Sequence, residues 1–252
     1  MTRICIFANR KGGCGKSTTA VNVAHGLVIR GHRVLLVDID PQSHTTIGLG
    51  FKPGMVKSSL ADVLLDRVPI GEVILASHIA GLSLLPASRE LGGFELENTG
   101  REDSEIILAE HLNDQLVNYD FIIIDPPPTL GLLMISGLIA AREVYIPMPL
   151  HFLAMEGLAE MMQVIYKLNA SYNPKLRMAG IIPTLYNKNT KLAKEIGKEI
   201  TKTFGPDKLL PPIRTNITLA EAPAHGQTIF EYDEKSIGAS DYAKLTQKIE
   251  IL

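Results

Sequence analysis

The chain lacks tryptophan altogether and has only two cysteines, Cys5 and Cys14, among its 252 residues. Two cysteines are too few for a disulfide framework, and their spacing does not fit a zinc site. Disulfide-rich secreted domains and zinc-binding modules are therefore excluded. A reducing cytoplasm is the expected location of such a chain.

Long apolar runs are also absent. The longest nearly apolar stretch spans residues 130–141, well short of the ~20 residues that a helix needs to cross a bilayer. The apolar start at residues 4–8 is too short for the core of a signal peptide. We therefore expect a protein that is neither secreted nor membrane-spanning.

Neither sign of charge is in large excess, because 25 lysines and arginines oppose 27 aspartates and glutamates. The formal net charge of −2 excludes a globally basic nucleic-acid binder. It does not exclude a local basic face, since electrostatic fields depend on patches as well as on totals. With 46% hydrophobic residues spread along the chain, the composition is that of an ordinary folded protein.

Apolar runs rich in β-branched residues alternate with helical patterns along the chain. The predicted strands span residues 4–8, 34–39, 82–86, 121–125, 144–149 and 178–183. The predicted helices span residues 17–30, 104–117, 155–168, 190–204 and 236–249. Continuous apolar strands separated by helices indicate a parallel sheet that is covered on both faces. The predicted fold class is α/β, a doubly wound, mostly parallel sheet with helices on both faces in a Rossmann-like sandwich.

One domain is expected over residues 1–252, because no repeat, low-complexity tract or change of composition marks a linker. The polar stretch at residues 95–103 is predicted to be a surface loop. Ligands of doubly wound sheets bind beyond the carboxyl ends of the strands. The segments 11–17, 38–42 and 125–128 are predicted to lie there.

The first predicted strand runs through glycines into a helix, with the sequence Lys11-Gly12-Gly13-Cys14-Gly15-Lys16-Ser17-Thr18. Such a turn binds phosphate, because free backbone N–H groups and the helix dipole point at the anion. In this P-loop geometry Lys16 would reach the β- and γ-phosphates, and Ser17 would place its hydroxyl on Mg²⁺. The strict Gly-x4-Gly-Lys-Ser/Thr pattern fails, because Arg10 replaces the first glycine. A second lysine, Lys11, is present instead.

Aspartates follow two further strands. The run Phe121-Ile122-Ile123-Ile124 leads into Asp125 and has the form of a Walker B strand, in which the carboxylate would hold Mg²⁺ through water. Asp38 and Asp40 close the second strand. A carboxylate beside a γ-phosphate can orient an attacking water, and Asp38 would support either the Mg²⁺ shell or Lys16. Either aspartate alone could simply cap a turn.

The pattern Lys-Gly-Gly-x-Gly-Lys-Ser/Thr resembles the deviant Walker A motif of the ParA/MinD group of P-loop ATPases. This resemblance implies ATP and Mg²⁺ as cofactors and a homodimer that forms with ATP. It implies that Lys11 contacts the phosphates of the partner subunit and that Asp40 orients the water. Metal binding is assigned to Ser17, Asp38 and Asp125.

Similarity to the ParA (Soj) branch extends over almost the whole chain, through the stretches 48–50, 147–149, 153–158 and 219–226. By this resemblance Asn187 presents a polar group to adenine. One departure is Pro126, which stands where the family usually has a residue other than proline and which removes a backbone donor.

Relatives of the ParA type bind DNA non-specifically as ATP dimers, through basic residues that precede a Glu-Ala-Pro motif. Here Thr215 and Thr218 replace the usual arginines, and Arg214 is shifted by one position. A second candidate surface is the helix at 190–204, whose lysines share one stripe: Lys191, Lys194, Lys198 and Lys202. Because Glu195 and Glu199 lie among them, a solvated helix with i,i+4 ion pairs is the alternative.

Two other branches of the superfamily fit less well. The C-terminal residues 241–252 lack the basic face and the Trp or Phe anchors of a membrane-binding helix, and we expect them to pack on the sheet. No cysteine follows Cys14, so the cluster ligands of an iron–sulfur protein are absent from the sequence.

The leading hypothesis is an ATPase switch that dimerises around two MgATP, binds the nucleoid weakly, and releases after hydrolysis stimulated by a ParB-like or cargo-adaptor protein. Its cargo would be a plasmid, a chromosome region or a protein assembly. The alternative is a metabolic or assembly ATPase acting on a small substrate, for which His151 and His225 are the candidate acid–base residues. A third hypothesis is a nucleotide-gated adaptor that does not hydrolyse ATP.

Overall fold

The computed structural model of the chain describes residues 1–52 and 54–252. Its strands are β1 (Arg3–Phe7), β2 (Val34–Asp38), β3 (Leu75–Ala76), β4 (Leu82–Leu85), β5 (Phe121–Asp125), β6 (Glu143–Pro149) and β7 (Arg177–Thr184). Its helices are α1 (Lys16–Ile29), α2 (His44–Gly48), α3 (Leu60–Leu64), α4 (Ile70–Val73), α5 (Glu90–Asn98), α6 (Ile107–Asn113), α7 (Leu132–Ala140), α8 (Ala154–Ser171), α9 (Lys191–Phe204), α10 (Thr218–Glu221), α11 (Ile229–Tyr232) and α12 (Ile237–Glu250).

The strands form a sheet in the order β3-β4-β2-β5-β1-β6-β7. Six of them are parallel, and only the two-residue β3 runs antiparallel to its neighbour β4. The predicted doubly wound, mostly parallel sheet is therefore confirmed. Its carboxyl edge collects the ends of β1, β2 and β5, which carry the predicted site.

Apolar side chains fill both faces of the sheet, as the continuous strand patterns predict. Alternate residues of β1 separate onto the two sides, with Ile4 and Ile6 in one buried cluster and Cys5 and Phe7 in the other. Residues of α3 and α5–α9 contribute to the first cluster, while residues of α1, α11 and α12 contribute to the second. No helix among the described residues is long and apolar enough to cross a membrane.

The outer edge of β7 is lined by an extended segment at residues 209–214. Leu210 donates its N–H to the carbonyl of Ile181 at 2.9 Å, and Ile213 donates to Pro183 at 2.8 Å. Tyr186 in turn donates to the carbonyl of Ile213 at 3.0 Å. These bonds satisfy backbone groups that an edge strand would otherwise leave unpaired.

A buried carboxylate joins three strands at the amino edge of the sheet. Glu143 accepts hydrogen bonds from Arg3 (2.6 Å), Arg177 (3.0 Å) and the hydroxyl of Tyr145 (2.9 Å). The Arg3 guanidinium also donates to the carbonyl of Ile249 at 2.8 Å, near the end of α12. Burial alone would raise the pKa of Glu143, but the hydrogen bonds and charges of Arg3 outweigh it and hold that pKa below its usual range.

Several local predictions were wrong or incomplete. Helix α5 occupies part of the predicted loop at residues 95–103, because Leu91 and Phe94 are buried in the core and tertiary packing overrides a weak local helix signal. Helix α7 lies in the apolar stretch 130–141, for which no element was predicted. Helix α6 is shorter than the predicted span of residues 104–117.

Candidate nucleotide-binding site

The loop between β1 and α1 has the backbone of a phosphate-binding turn. Gly13 and Gly15 adopt positive φ values of 68° and 87°, a region that favours glycine. No side chain caps the amino end of α1, so its first N–H groups are available to an anion. Thr184, at the end of β7, donates its hydroxyl to the carbonyl of Cys14 at 2.8 Å and steadies the loop.

The two lysines of the motif have different surroundings. Lys16 is 7% exposed, and its Nζ donates to the carbonyl of Lys11 at 3.3 Å. Lys11 is exposed, and its Nζ lies 2.6 Å from Nε2 of His151. The Asn9 side chain bridges the loop to β6, since its Oδ1 accepts from the Lys11 N–H and its Nδ2 donates to the carbonyl of Pro147.

Asp38 and Asp125 stand side by side at the carboxyl edge, because β2 and β5 pair in that register. Both carboxylates are fully buried. Asp38 Oδ2 accepts from the N–H of Thr46 at 2.8 Å and from its hydroxyl at 2.7 Å. Asp125 Oδ2 accepts from the hydroxyl of Thr45 at 2.7 Å. The first turn of α2 therefore orients both acids.

Burial beside each other disfavours the state in which Asp38 and Asp125 are both ionised. Burial and then the charge on Asp125 raise the pKa of Asp38. Burial likewise raises the pKa of Asp125, opposed by the hydroxyls of Ser17 and Thr45 and the charge of Lys16. A nearby cation would reverse this tendency, because it stabilises the ionised carboxylates.

Asp40 lies at the wall of a cavity of about 600 Å³, together with Pro128 and with residues of the loop: Gly12, Gly13, Gly15, Lys16 and Ser17. Its Oδ1 accepts from the N–H of Gln42 at 2.9 Å, and its own N–H donates to Asp38 at 3.1 Å. The side chain is nearly buried but borders the cavity. A carboxylate in this position can face a bound phosphate.

A smaller cavity of about 230 Å³ adjoins the other side of the loop. Thr18, Thr184, Ile213 and Tyr242 are among the residues that line it. Asn187 is not among the lining residues. It is exposed on the turn after β7, and its Oδ1 accepts from the N–H of Asn189 at 3.0 Å. The assignment of Asn187 to adenine thus stays a prediction.

The two groups of candidate DNA-contacting residues differ in whether their charges are already paired. Arg214 is held by Asp241, with Nε and Nη2 donating to the two carboxylate oxygens at 2.9 and 2.6 Å. The lysines of α9 are instead exposed and lie opposite its buried face: Lys191, Lys194, Lys198 and Lys202. Within the described part of the chain, no ion pair within 4.0 Å joins them to Glu195 or Glu199.

Three large apolar side chains are exposed in segments that follow the carboxyl ends of β5 and β6. Phe152 is 84% exposed and Leu153 is 54% exposed, directly after His151. Leu130 is also exposed, in the segment that follows Asp125. Apolar side chains beside a polar site are typical of a surface that contacts another protein.

The roles of Thr45, Thr46 and Thr184 cannot be predicted from the sequence, because each depends on a contact with a residue of another element. The structure also brings together two stretches of the resemblance, since a Cβ on Gly226 would lie 2.6 Å from the Cα of Gly50. Only glycine permits that approach. The loop after α2 therefore packs against the segment that follows the Glu-Ala-Pro motif.

A magnesium nucleotide fits the residues present. Among the described residues, Asp125 Oδ1 is one of the few buried side-chain oxygens without a hydrogen-bond partner. An unpartnered, buried carboxylate oxygen is costly unless a cation or its bound water satisfies it. The hydroxyl of Ser17 and the ammonium of Lys16 act on the same carboxylate. The Asp125 carboxylate and the Ser17 hydroxyl offer oxygen ligands, which are the kind that Mg²⁺ prefers.

Comparisons with known proteins agree with this geometry. A family model described as an AAA domain matches residues 2–178. The chain is 38% identical to the chromosome-partitioning ATPase Soj of Treponema pallidum over 249 residues, covering 99% of this chain and 97% of that protein. It is 37% identical to the sporulation initiation inhibitor protein Soj of Bacillus subtilis, with coverages of 99% and 98%.

A solved structure is similarly close. A Mycobacterium smegmatis protein described as cobyrinic acid a,c-diamide synthase, with a bound ATP analogue and magnesium, superposes with a TM-score of 0.86 and 33% identity. The match covers 98% of this chain and 93% of that one. The similarity in sequence and in fold therefore extends over the whole described sheet and the loops at its carboxyl edge.

Proposed function

Because the chain belongs to the ParA/Soj family of P-loop ATPases, we propose that it is a dimerisation switch driven by ATP. One subunit binds MgATP at the loop 11–18, pairs with a second loaded subunit, and separates after slow hydrolysis. We also propose that residues 1–252 act as one ATPase domain. The observation that carries the proposal is the unpartnered oxygen of buried Asp125 beside Lys16 and Ser17.

The residues of the site divide the work among them. Lys16, which now donates to the carbonyl of Lys11, would neutralise the phosphates, and Ser17 and Asp125, with Asp38 beside them, would hold Mg²⁺. Mg²⁺, when bound, neutralises charge that develops on the phosphates during transfer. Asp40 orients the attacking water from the wall of the cavity. The smaller cavity, lined in part by Ile213 and Tyr242, would accommodate the base.

Pairing is the second part of the proposal. Lys11 is exposed at the carboxyl edge, where its ammonium can reach the phosphates of a facing subunit. A positive charge supplied from across the interface stabilises phosphoryl transfer only when both subunits are present. The exposed side chains of Leu130, Phe152 and Leu153 supply apolar contact area around it.

The third part concerns DNA and partners. We propose that the ATP dimer binds DNA non-specifically through the lysine face of α9, defined by Lys191, Lys194, Lys198 and Lys202. Arg214 is a weaker candidate because Asp241 already occupies its guanidinium. The protein would work at the nucleoid in the cytoplasm, positioning a plasmid, chromosome region or protein cargo. A ParB-like or cargo-adaptor protein would stimulate hydrolysis.

A second candidate function is an ATPase that acts on a small substrate, and the description of the similar Mycobacterium smegmatis protein as a synthase favours it. The candidate acid–base residues support it poorly. His225 is exposed and stacks on Tyr232, and His151 contacts Lys11. Product formation that depends on a small molecule, without any effect of DNA, would favour this function. A non-hydrolysing adaptor would show no steady-state phosphate release.

The test combines nucleotide binding, pairing and hydrolysis. Asp40→Ala should lower steady-state phosphate release by about 100-fold or more, the contribution of a general base, and should accumulate ATP-bound dimers. Lys11→Ala should bind MgATP but stay monomeric, and Lys16→Ala should lose MgATP binding. A phosphate-release assay measures hydrolysis, calorimetry measures MgATP binding, and light scattering measures pairing. Absence of binding heat with MgATP, or dimers of the Lys11→Ala protein, would contradict the proposal.

A further inference from the structure

The contact between Lys11 and His151 lies outside the roles assigned above. Nζ of Lys11 is 2.6 Å from Nε2 of His151 within one subunit. The ammonium can only donate, so Nε2 must be the acceptor and the imidazole must be neutral in this contact. The lysine that the proposed dimer needs for the opposite subunit is thus hydrogen-bonded to its own chain.

The backbone of His151 is held by the turn that follows β6. The His151 N–H donates to the carbonyl of Pro149 at 3.1 Å, and the His151 carbonyl accepts from Ala154 at 2.9 Å. This turn starts α8, and α8 also reaches the loop through the ion pair of Glu160 with Arg10 at 2.7 Å. A backbone held at both sides limits the positions that Nε2 can reach, and the contact with Lys11 is one of them.

We infer that His151 is a positioning residue that latches Lys11 within the free subunit and competes with the phosphates of the partner subunit. The inference rests on the proposed function, since it assumes that Lys11 acts across a dimer. The Lys11 ammonium must leave Nε2 before it can contact a phosphate of the facing subunit. The latch therefore lowers the fraction of subunits that are ready to pair, and the apparent affinity falls by that fraction.

Nucleotide binding in the same subunit loosens this latch. Lys16 donates to the carbonyl of Lys11 at 3.3 Å, so the two lysines are linked through one peptide group. When Lys16 turns to bind phosphate, that carbonyl loses the ammonium and keeps the weaker thiol donor of Cys14 at 3.2 Å, while the Lys11 N–H stays bonded to Asn9. Loading of the first nucleotide thus frees the lysine that the partner requires.

Pairing can be measured in an Asp40→Ala background, where dimers accumulate with ATP. His151→Ala should lower the concentration needed for half-maximal dimer formation by about threefold to tenfold, the effect of one exposed hydrogen bond. His151→Gln should behave like the parent protein, because its amide oxygen can accept from Lys11. His111→Ala is the control. His111 lies on α6, its imidazole pairs with Asp66, and its replacement should not change pairing of the subunits.

A second measurement does not require pairing or hydrolysis. The ¹⁵N chemical shifts of the His151 imidazole, measured in the protein without nucleotide, should change when Lys11 is replaced by Met. They should also change when MgATP is added to the Lys11-containing protein at a concentration where it is monomeric. A structural role of His151 alone would leave both shifts unmoved.

The outcomes separate the two proposals. Failure of the Asp40→Ala protein to pair with ATP would overturn the proposed function and this inference with it. If that protein pairs but His151→Ala pairs equally well or more weakly, the latch is absent while the proposed function stands. Insensitivity of the His151 shifts to Lys11→Met would also overturn the latch.

Discussion

The aspartates of the site depend on two threonines of α2 that no motif marks. Thr46 donates its hydroxyl to Asp38 and accepts the N–H of Ala87 at 3.1 Å, so one side chain joins β2 to the loop after β4. Thr45 donates its hydroxyl to Asp125 at 2.7 Å. Removal of either hydroxyl leaves a buried carboxylate with fewer donors, which is costlier than losing an exposed bond.

Thr46→Val should therefore lower the free energy of unfolding by about 1–3 kcal/mol and should reduce ATP hydrolysis. Thr46→Ser keeps the hydroxyl and is the matched control, with a loss of less than about 1 kcal/mol expected from its missing methyl group. Urea unfolding and phosphate release measure both variants. Equal stability of the two proteins would show that the hydroxyl contributes little to holding Asp38.

Among the elements, α9 offers the clearest separation between a buried and a charged face. Ala193, Ile196 and Ile200 pack into the core, while the lysine face points outward without carboxylate partners within 4.0 Å among the described residues. Unpaired lysines along one helix can neutralise several phosphates, each adding about −0.9 to the slope of log affinity against log salt.

Replacing the four α9 lysines by glutamine should weaken DNA binding by the ATP-bound Asp40→Ala dimer at least about tenfold at low salt. It should also flatten the salt slope by up to about 3.6 units for each subunit that contacts the DNA. Filter retention over a salt series measures both quantities. A control variant with Lys167→Gln and Lys244→Gln, on α8 and α12, should keep the slope of the parent. An unchanged slope in the α9 variant would place the DNA contacts elsewhere.

The strands could be predicted from the sequence far better than the short helices. Each central strand is a run of buried apolar residues, as in β5, and such runs need no partner to be recognised. Helix α5 contains Gly92 and Gly93, which weaken the local signal, and it forms because Phe94 is buried. The antiparallel β3 has only two residues and depends on β4 beside it.

The residues of the candidate site likewise fall into those that the sequence predicts and those that it does not. The loop 11–18 and the aspartates were predicted because contiguous residues or strand ends carry them. The contacts of Thr45, Thr184 and His151 join segments between 80 and 170 residues apart in sequence. No local pattern reports such pairs, since they arise only when the sheet order places the segments together.

For the whole molecule, Glu143 is the residue that ties distant parts at the amino edge. It joins Arg3 of β1 and Arg177 of β7, and Arg3 continues to the end of α12. The carboxylate is largely buried, so loss of its charge would leave the positive charges of Arg3 and Arg177 without their partner.

Glu143→Gln should lower the free energy of unfolding at pH 7 by about 2–3 kcal/mol, somewhat less than the loss of a fully buried pair. The folded-state pKa of Glu143 is lowered, so its contribution is present above the unfolded pKa and is lost as pH falls through the folded pKa. The gap between wild type and variant should thus close below about pH 4. Denaturant unfolding at several pH values measures it, with the exposed Glu160→Gln as a control that should change little.

The covered margin of β7 has a consequence for self-association. Residues 209–214 occupy its backbone groups, and at the opposite margin β3 offers only two residues. In the described part of the chain, neither edge of the sheet offers a long unpaired strand to another molecule. Edge-to-edge pairing between sheets of different molecules is therefore disfavoured, even at high local concentration. Crowding of many copies should therefore not by itself drive strand-to-strand association.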